Sequence, residues 1–190
     1  MDKTDNMMIR SKMQTLDMVY IAIGIALISV CSWISVPTAV PFTLQTFAVF
    51  LVLSLLGGKR GTIATVLYVI LGTLGLPIFS HFTGGIGVIL GSTGGYIVGF
   101  IFMGLIYMLA ERMFGQKRFA RIIALVIGLI VCYAFGTAWF MYVYTRDTGA
   151  VGLFAVLGWC VFPFIIPDII KLVLALMIAK RVRPVIRQGV

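Results

Sequence analysis

Charge is what this sequence has least of. Only 11% of its 190 residues are Asp, Glu, Lys or Arg, against ~25% in ordinary soluble domains. The remainder is 61% hydrophobic with a mean hydropathy of +1.12, which excludes a soluble globular protein. Carboxylates number six and histidine one, too few for a metal-ligand cluster. The three cysteines, Cys31, Cys132 and Cys160, lack C-x-x-C spacing and read as packing residues. No P-loop, G-x-S-x-G or H-E-x-x-H occurs, so neither an ATPase nor a hydrolase is encoded, and no catalytic residue or cofactor is expected. Uphill movement of a solute would have to draw on an ion or on a partner. No polar stretch is long enough for a second, water-exposed domain, and residues 1–190 read as a single transmembrane domain.

What is there is a sequence of long uncharged gaps. Residues 18–58 supply 41 uncharged positions and residues 61–110 a further 50, interrupted only by His81. About 20 apolar residues carry a helix across the hydrocarbon core, so each gap holds two spans. The breaks fall at Val36-Pro-Thr-Ala-Val-Pro41 and between Leu76-Pro77 and Gly85. A fifth span fits the 24 uncharged residues 122–145, and Pro163 and Pro167 predict a short outer segment before a sixth helix starting near Pro167. The expected fold is an all-α bundle of six transmembrane helices at about 16–34, 42–57, 61–76, 93–113, 119–143 and 166–182. No small-x-small cleavage site follows Trp33 convincingly, so the first segment is expected to be a span and not a signal peptide.

The net charge of +9 would suggest nucleic acid in a soluble protein, but in a membrane protein it sets orientation. Thirteen of the 15 basic residues fall on one side: Lys3, Arg10, Lys12, Lys59, Arg60, Arg112, Lys117, Arg118, Arg121, Lys180, Arg181, Arg183 and Arg187. The other side holds Arg146, and Lys171 lies inside the sixth segment. Both termini are expected in the cytoplasm, with lipid and no nucleic acid around a multi-pass protein of the cell membrane.

Four features lie outside this pattern. Asp168 and Lys171, three apart at the start of the last helix, share one face; intramembrane charges cost several kcal/mol unless paired or hydrated. They suit a structural ion pair or, better, a ligand bearing both N–H donors and a carboxylate. The segment Gly84-Gly-Ile-Gly-Val-Ile-Leu-Gly-Ser-Thr-Gly-Gly-Tyr-Ile-Val-Gly99 repeats glycine every fourth residue from Gly87. Such spacing lets helices approach closely, or the loop can offer N–H groups from Gly91 with Ser92, Thr93 and Tyr96 beside them. Thr43 and Gln45 open the second helix, Thr43 as a cap or a pocket residue and Gln45 at a depth where its amide needs a partner. Trp139 is the pocket candidate among the aromatics ending the fifth helix, while Tyr144 fits the interfacial belt and His81 reads as a loop residue. Lastly, Ala22-Ile-Gly-Ile-Ala26 is a flat stripe that permits close helix contact.

Taken in order, the run Val40-Pro-Phe-Thr-Leu-Gln-Thr46, the turn Gly57-Gly-Lys-Arg-Gly61, Tyr68-Val-Ile-Leu-Gly-Thr-Leu-Gly-Leu-Pro-Ile-Phe79, the glycine segment to Tyr96 and the closing Pro167-Asp-Ile-Ile-Lys171 resemble the BioY family. These are the biotin-specific substrate-capture subunits of energy-coupling-factor transporters. Ser92 departs from the pattern, standing where the family more often has proline. The resemblance spans about the whole chain and implies a six-helix bundle that binds biotin from outside. It further implies a transmembrane coupling subunit and two cytoplasmic ATPases as partners, docking of the coupling subunit on Ala22 and Ala26, and a prokaryotic cell. Asp168 and Lys171 match the family's polar pair. The rival readings are a small secondary transporter, which would need an ion site and usually repeats, a capture subunit for another vitamin, a membrane enzyme, and a scaffold that would leave Asp168 and Lys171 unexplained.

Overall fold

The computed structural model describes residues 3–36, 42–115 and 117–188, with side chains for 14–36, 42–115 and 117–184. The proline pair Pro37 and Pro41 of the first expected break, with Val40, lies outside them. The elements are α1 (Lys3–Trp33), β1 (Ser35–Val36), β2 (Phe42–Thr43), α2 (Gln45–Thr73), a 3-10 turn at Ser80–Phe82, α3 (Ile86–Leu90), α4 (Gly94–Phe114), α5 (Arg118–Asp147), α6 (Leu153–Cys160) and α7 (Phe162–Gln188).

Five segments are long and apolar enough to cross a membrane, and one of them, α2, is two antiparallel arms. Gly57 sits at φ +82° and ψ 174° inside it, a conformation open to glycine and strained for other residues. The reversal is visible at the far ends: the Gln45 amide donates to the Tyr68 hydroxyl at 2.9 Å, although 23 residues of straight helix would hold them roughly 34 Å apart. Counting the arms 45–56 and 58–73 separately, the bundle has the six helices expected.

The boundaries differ from the sequence reading at several places: α1 already runs from Lys3, not 16, the second arm of α2 ends at Thr73, not 76, α5 continues to Asp147, not 143, and α7 to Gln188, not 182. The second helix begins at Gln45, not 42, because Phe42 and Thr43 pair antiparallel with Val36 and Ser35. The third resumes directly after Gly57, not at 61, since one glycine suffices for the turn. The last helix starts at Phe162, not near Pro167: Pro163 occupies the first turn, where a missing N–H costs nothing, and Pro167 is carried inside the helix. The short outer segment expected before it is α6, separated from α7 by a break at Val161 (φ −126°, ψ −58°).

Glycines set the spacing between α4 and α5. A Cβ added to Gly99 would come within 2.7 Å of Cys132 Sγ, and one on Gly128 within 2.7 Å of Met103 Cγ. Gly95 likewise lies flat under Trp139, and Gly136 under the Tyr96 ring. Gly87, by contrast, faces open space, so the four-residue repeat is a packing surface only in its later half. At the opposite end of the bundle the hairpin turn is tied down. The Gly58 N–H donates to Glu111, Glu111 also faces Arg183 at 3.6 Å, and Arg60 pairs with Asp17. The charged residues near the Gly57 turn, the end of α4, the start of α5 and the end of α7 thus gather at one end, while Arg146 ends α5 at the other.

Gly58 approaches the backbone of a neighbouring helix, with Met108 Cα only 2.5 Å from where its Cβ would lie. Gly58→Ala should therefore lower unfolding stability in detergent by about 1–3 kcal/mol. Gly158→Ala, in a helix with nothing within 4 Å, should be neutral or slightly stabilising. Equal thermal melts for the two variants would contradict the packing described.

Candidate ligand-binding site

The end of the bundle opposite the gathered charges holds a cavity of about 70 Å³, lined among others by Thr43, Gln45, Thr93, Tyr96, Tyr133, Phe164, Asp168 and Lys171. Its defining feature is an ion pair taken out of water. Asp168 is 2% and Lys171 5% exposed, and Lys171 Nζ donates to Asp168 Oδ1 at 2.8 Å. Three further contacts hold the pair. Lys171 Nζ also donates to the Thr43 carbonyl at 2.8 Å, lies 4.2 Å from the centre of the Phe42 ring, and the Tyr133 hydroxyl donates to Asp168 Oδ2 at 2.5 Å. Burying such a pair costs more than its attraction returns unless the remaining donors and lone pairs are met. Here most are met, and the unspent ones define what a ligand can offer: an ammonium has three protons and two are used, while each carboxylate oxygen keeps room for another donor.

The walls come from different elements. Thr43 is placed by the short β pairing and by the Leu44 N–H bonding the Ile34 carbonyl at 3.1 Å. Gln45 donates to Tyr68, whose hydroxyl in turn donates to the Ile78 carbonyl at 3.0 Å. Tyr96, from α4, meets Thr137 of α5 at 3.2 Å. Apolar faces from Ile97, Phe100, Leu129 and Phe164 stand beside the hydroxyls of Thr43, Thr46, Ser80, Thr93, Tyr96 and Tyr133, so the cavity combines apolar walls with polar groups that can orient a small molecule.

A sequence model of the BioY family matches residues 5–188. The chain belongs to the BioY family. Among its relatives are the biotin transporter BioY of Thermotoga maritima, 43% identical over 83% of this chain and 90% of that protein, and the probable biotin transporter BioY of Pyrococcus horikoshii, 42% identical over 86% and 93%. A crystal structure of the S-component for biotin from an ECF-type ABC transporter superposes with a TM-score of 0.78 at 26% identity, covering 91% of this chain and 93% of that one. The family is one of membrane transport proteins and not of enzymes.

Within this BioY protein, six of the nine residues singled out from the sequence line the cavity together: Thr43, Gln45, Thr93, Tyr96, Asp168 and Lys171. Gly91, Ser92 and Trp139 do not line it. Gly91 and Ser92 lie in the turn between α3 and α4, and the Trp139 indole donates to the Gly91 carbonyl at 3.0 Å, bracing that turn from behind. Sequence reasoning missed Tyr133, whose signal was a hydroxyl in the middle of an uncharged helix. It also gave Cys132 and Cys160 to packing; both are buried, and both border the cavity.

Tyr133→Phe deletes only the hydroxyl that donates to Asp168 Oδ2. Leaving that buried oxygen short of a donor should lower stability by about 1–3 kcal/mol. Denaturation in detergent followed by circular dichroism measures it, and an unchanged midpoint would mean that Asp168 does not depend on this bond.

Proposed function

We propose that this chain captures biotin at the Asp168–Lys171 cavity and delivers it inward as the substrate-binding subunit of an energy-coupling-factor transporter. The observation that carries the reading is the buried ion pair facing an apolar cavity in a member of the BioY family. Biotin presents ureido N–H donors, a ureido carbonyl, an apolar bicycle and a carboxylate. The free lone pairs of Asp168 suit the N–H groups, the third Lys171 proton suits an anionic or carbonyl oxygen, and Tyr96, Phe100 and Phe164 suit the bicycle. The gathering of basic residues at the end opposite the cavity supports an extracellular cavity and cytoplasmic termini.

Energy supply is assigned to other chains, a transmembrane coupling subunit and two cytoplasmic ATPases. Ala22 and Ala26 support a docking role: both are exposed on α1, while Gly24 between them turns inward to within 3.2 Å of Ala64, Leu56 and Val52 at its would-be Cβ. The stripe therefore faces away from the bundle's own core, where a second helix could approach closely.

Purified protein in detergent, with no ATP or ions added, should bind biotin saturably by isothermal titration calorimetry. Lys171→Met should weaken that binding by on the order of 2–5 kcal/mol. Absence of saturable binding by folded protein would sink the substrate assignment, and wild-type affinity in the variant would reduce Lys171 to a structural role.

Docking and capture separate in Ala22→Trp with Ala26→Trp. Two indoles should block helix approach, so uptake by cells carrying the full transporter should fall while biotin binding by the isolated subunit persists. Loss of binding to the same extent would place the stripe inside the subunit's own packing.

A further inference from the structure

A second cavity, about 440 Å³, opens at the basic end of the bundle, far from the first. Its lining includes Ser54, Tyr107, Arg118, Arg121, Lys180 and Arg183. Four cations around one hollow repel one another, and the nearest acid, Glu111, is divided between Arg183 and the Gly58 N–H. Ser54 Oγ and Arg121 Nε are buried with no hydrogen-bond partner within 3.5 Å, although both side chains turn toward the Tyr107 hydroxyl, and Ser54 as a whole is only 5% exposed. Each orphaned buried polar atom is costly, and here a donor guanidinium edge and a hydroxyl meet in one positively charged cavity. An acceptor-rich anion relieves both costs at once.

We propose that this cavity binds the phosphate of an anionic phospholipid. The depth favours a lipid over a soluble phosphate. Arg118 opens α5, and Lys180 and Arg183 lie in the last turns of the apolar stretch Leu153–Pro184, which is headgroup level. The rest of the lining, with Ile122, Leu176, Ala179 and Pro184, is apolar. Basic hollows between transmembrane helices recognise such headgroups through each nearby Lys or Arg.

The test is native mass spectrometry of delipidated protein titrated with palmitoyl-oleoyl phosphatidylglycerol and, separately, with the matching phosphatidylcholine. Phosphatidylglycerol should be retained more tightly, and Arg121→Gln and Lys180→Gln should each cost about fivefold of that preference. Lys117→Gln, which removes a charge at the same end but outside this cavity, should leave it unchanged. Equal retention of the two lipids by the wild-type protein would overturn the proposal, as would an equal loss in Lys117→Gln, which would make it a matter of general surface charge. Displacement of the lipid by inorganic phosphate at millimolar concentration would reassign the cavity to a soluble anion. Stronger retention of a glutamate-rich peptide than of phosphatidylglycerol would reassign it to an acidic protein segment.

Discussion

The constraint on which the cavity half of this protein depends is the burial of Asp168 and Lys171 inside a membrane bundle. Neither charge has water to fall back on, so the surrounding chain must supply hydrogen bonds from fixed positions. Lys171 needs the Thr43 carbonyl, which fixes β2 against α7. Asp168 needs the Tyr133 hydroxyl, which fixes the register of α5 against α7. Phe42 covers the ammonium with its ring and leans on Phe164, 5.7 Å between centroids. One ion pair thus aligns three elements far apart in sequence, and both of its side chains line the cavity with hydrogen-bonding capacity to spare.

A second set of bonds makes the opposite wall equally specific. Ser32 and Tyr68 both donate to the Ile78 carbonyl, at 2.6 and 3.0 Å, and Gln45 donates to Tyr68. This chain joins α1, both arms of α2 and the loop beyond them. It forms only because Gly57 turns α2 back on itself, returning Tyr68 to the level of Gln45. A residue with φ near +80° at one end of the bundle therefore decides which polar groups meet at the other. Side-chain networks of this kind rigidify a site when every member has a partner.

Much of this was legible in the sequence because the membrane makes charge placement severe. The gaps between Asp17, Lys59 and Glu111 gave the number of spans, and the i, i+3 spacing of Asp168 and Lys171 gave the pair. The faces of the helices were harder. A helix apolar all round carries no inward stripe, so apart from the mid-helix hydroxyl of Tyr133 nothing in residues 122–145 marked which side chains turn toward the cavity, or Trp139 as spent on the Gly91 carbonyl. Lys59 and Arg60 suggested a loop several residues long, because charge resembles a turn when read without the Glu111 and Asp17 that hold it. The same physics hid the α7 start: prolines mark helix beginnings well, but Pro163 and Pro167 both qualified, and only packing chose between them.

The cavity lies along a seam in the packing, and the seam bears on how a bicyclic ligand enters a space of about 70 Å³ when small-molecule sites usually enclose roughly 300–1,000 Å³. The main core runs through α1, α2, α4, α5 and α7, while Phe140, Val156, Cys160 and Val161 form a smaller cluster around α6. Tyr96 and Tyr133 touch both clusters. On the main-core side, the α4–α5 contact is closed by Gly95, Gly99, Gly128 and Gly136 against large side chains, so outward movement there would open voids along the whole interface at about 24 cal/mol per Å³. On the other side, α6 is eight residues long and joins α7 through the irregular Val161. Cys160 and Phe164, which flank that junction, both line the cavity. The cavity is thus bounded on one side by helices locked together through glycine and on the other by the small cluster, with Tyr96 and Tyr133 joining the two.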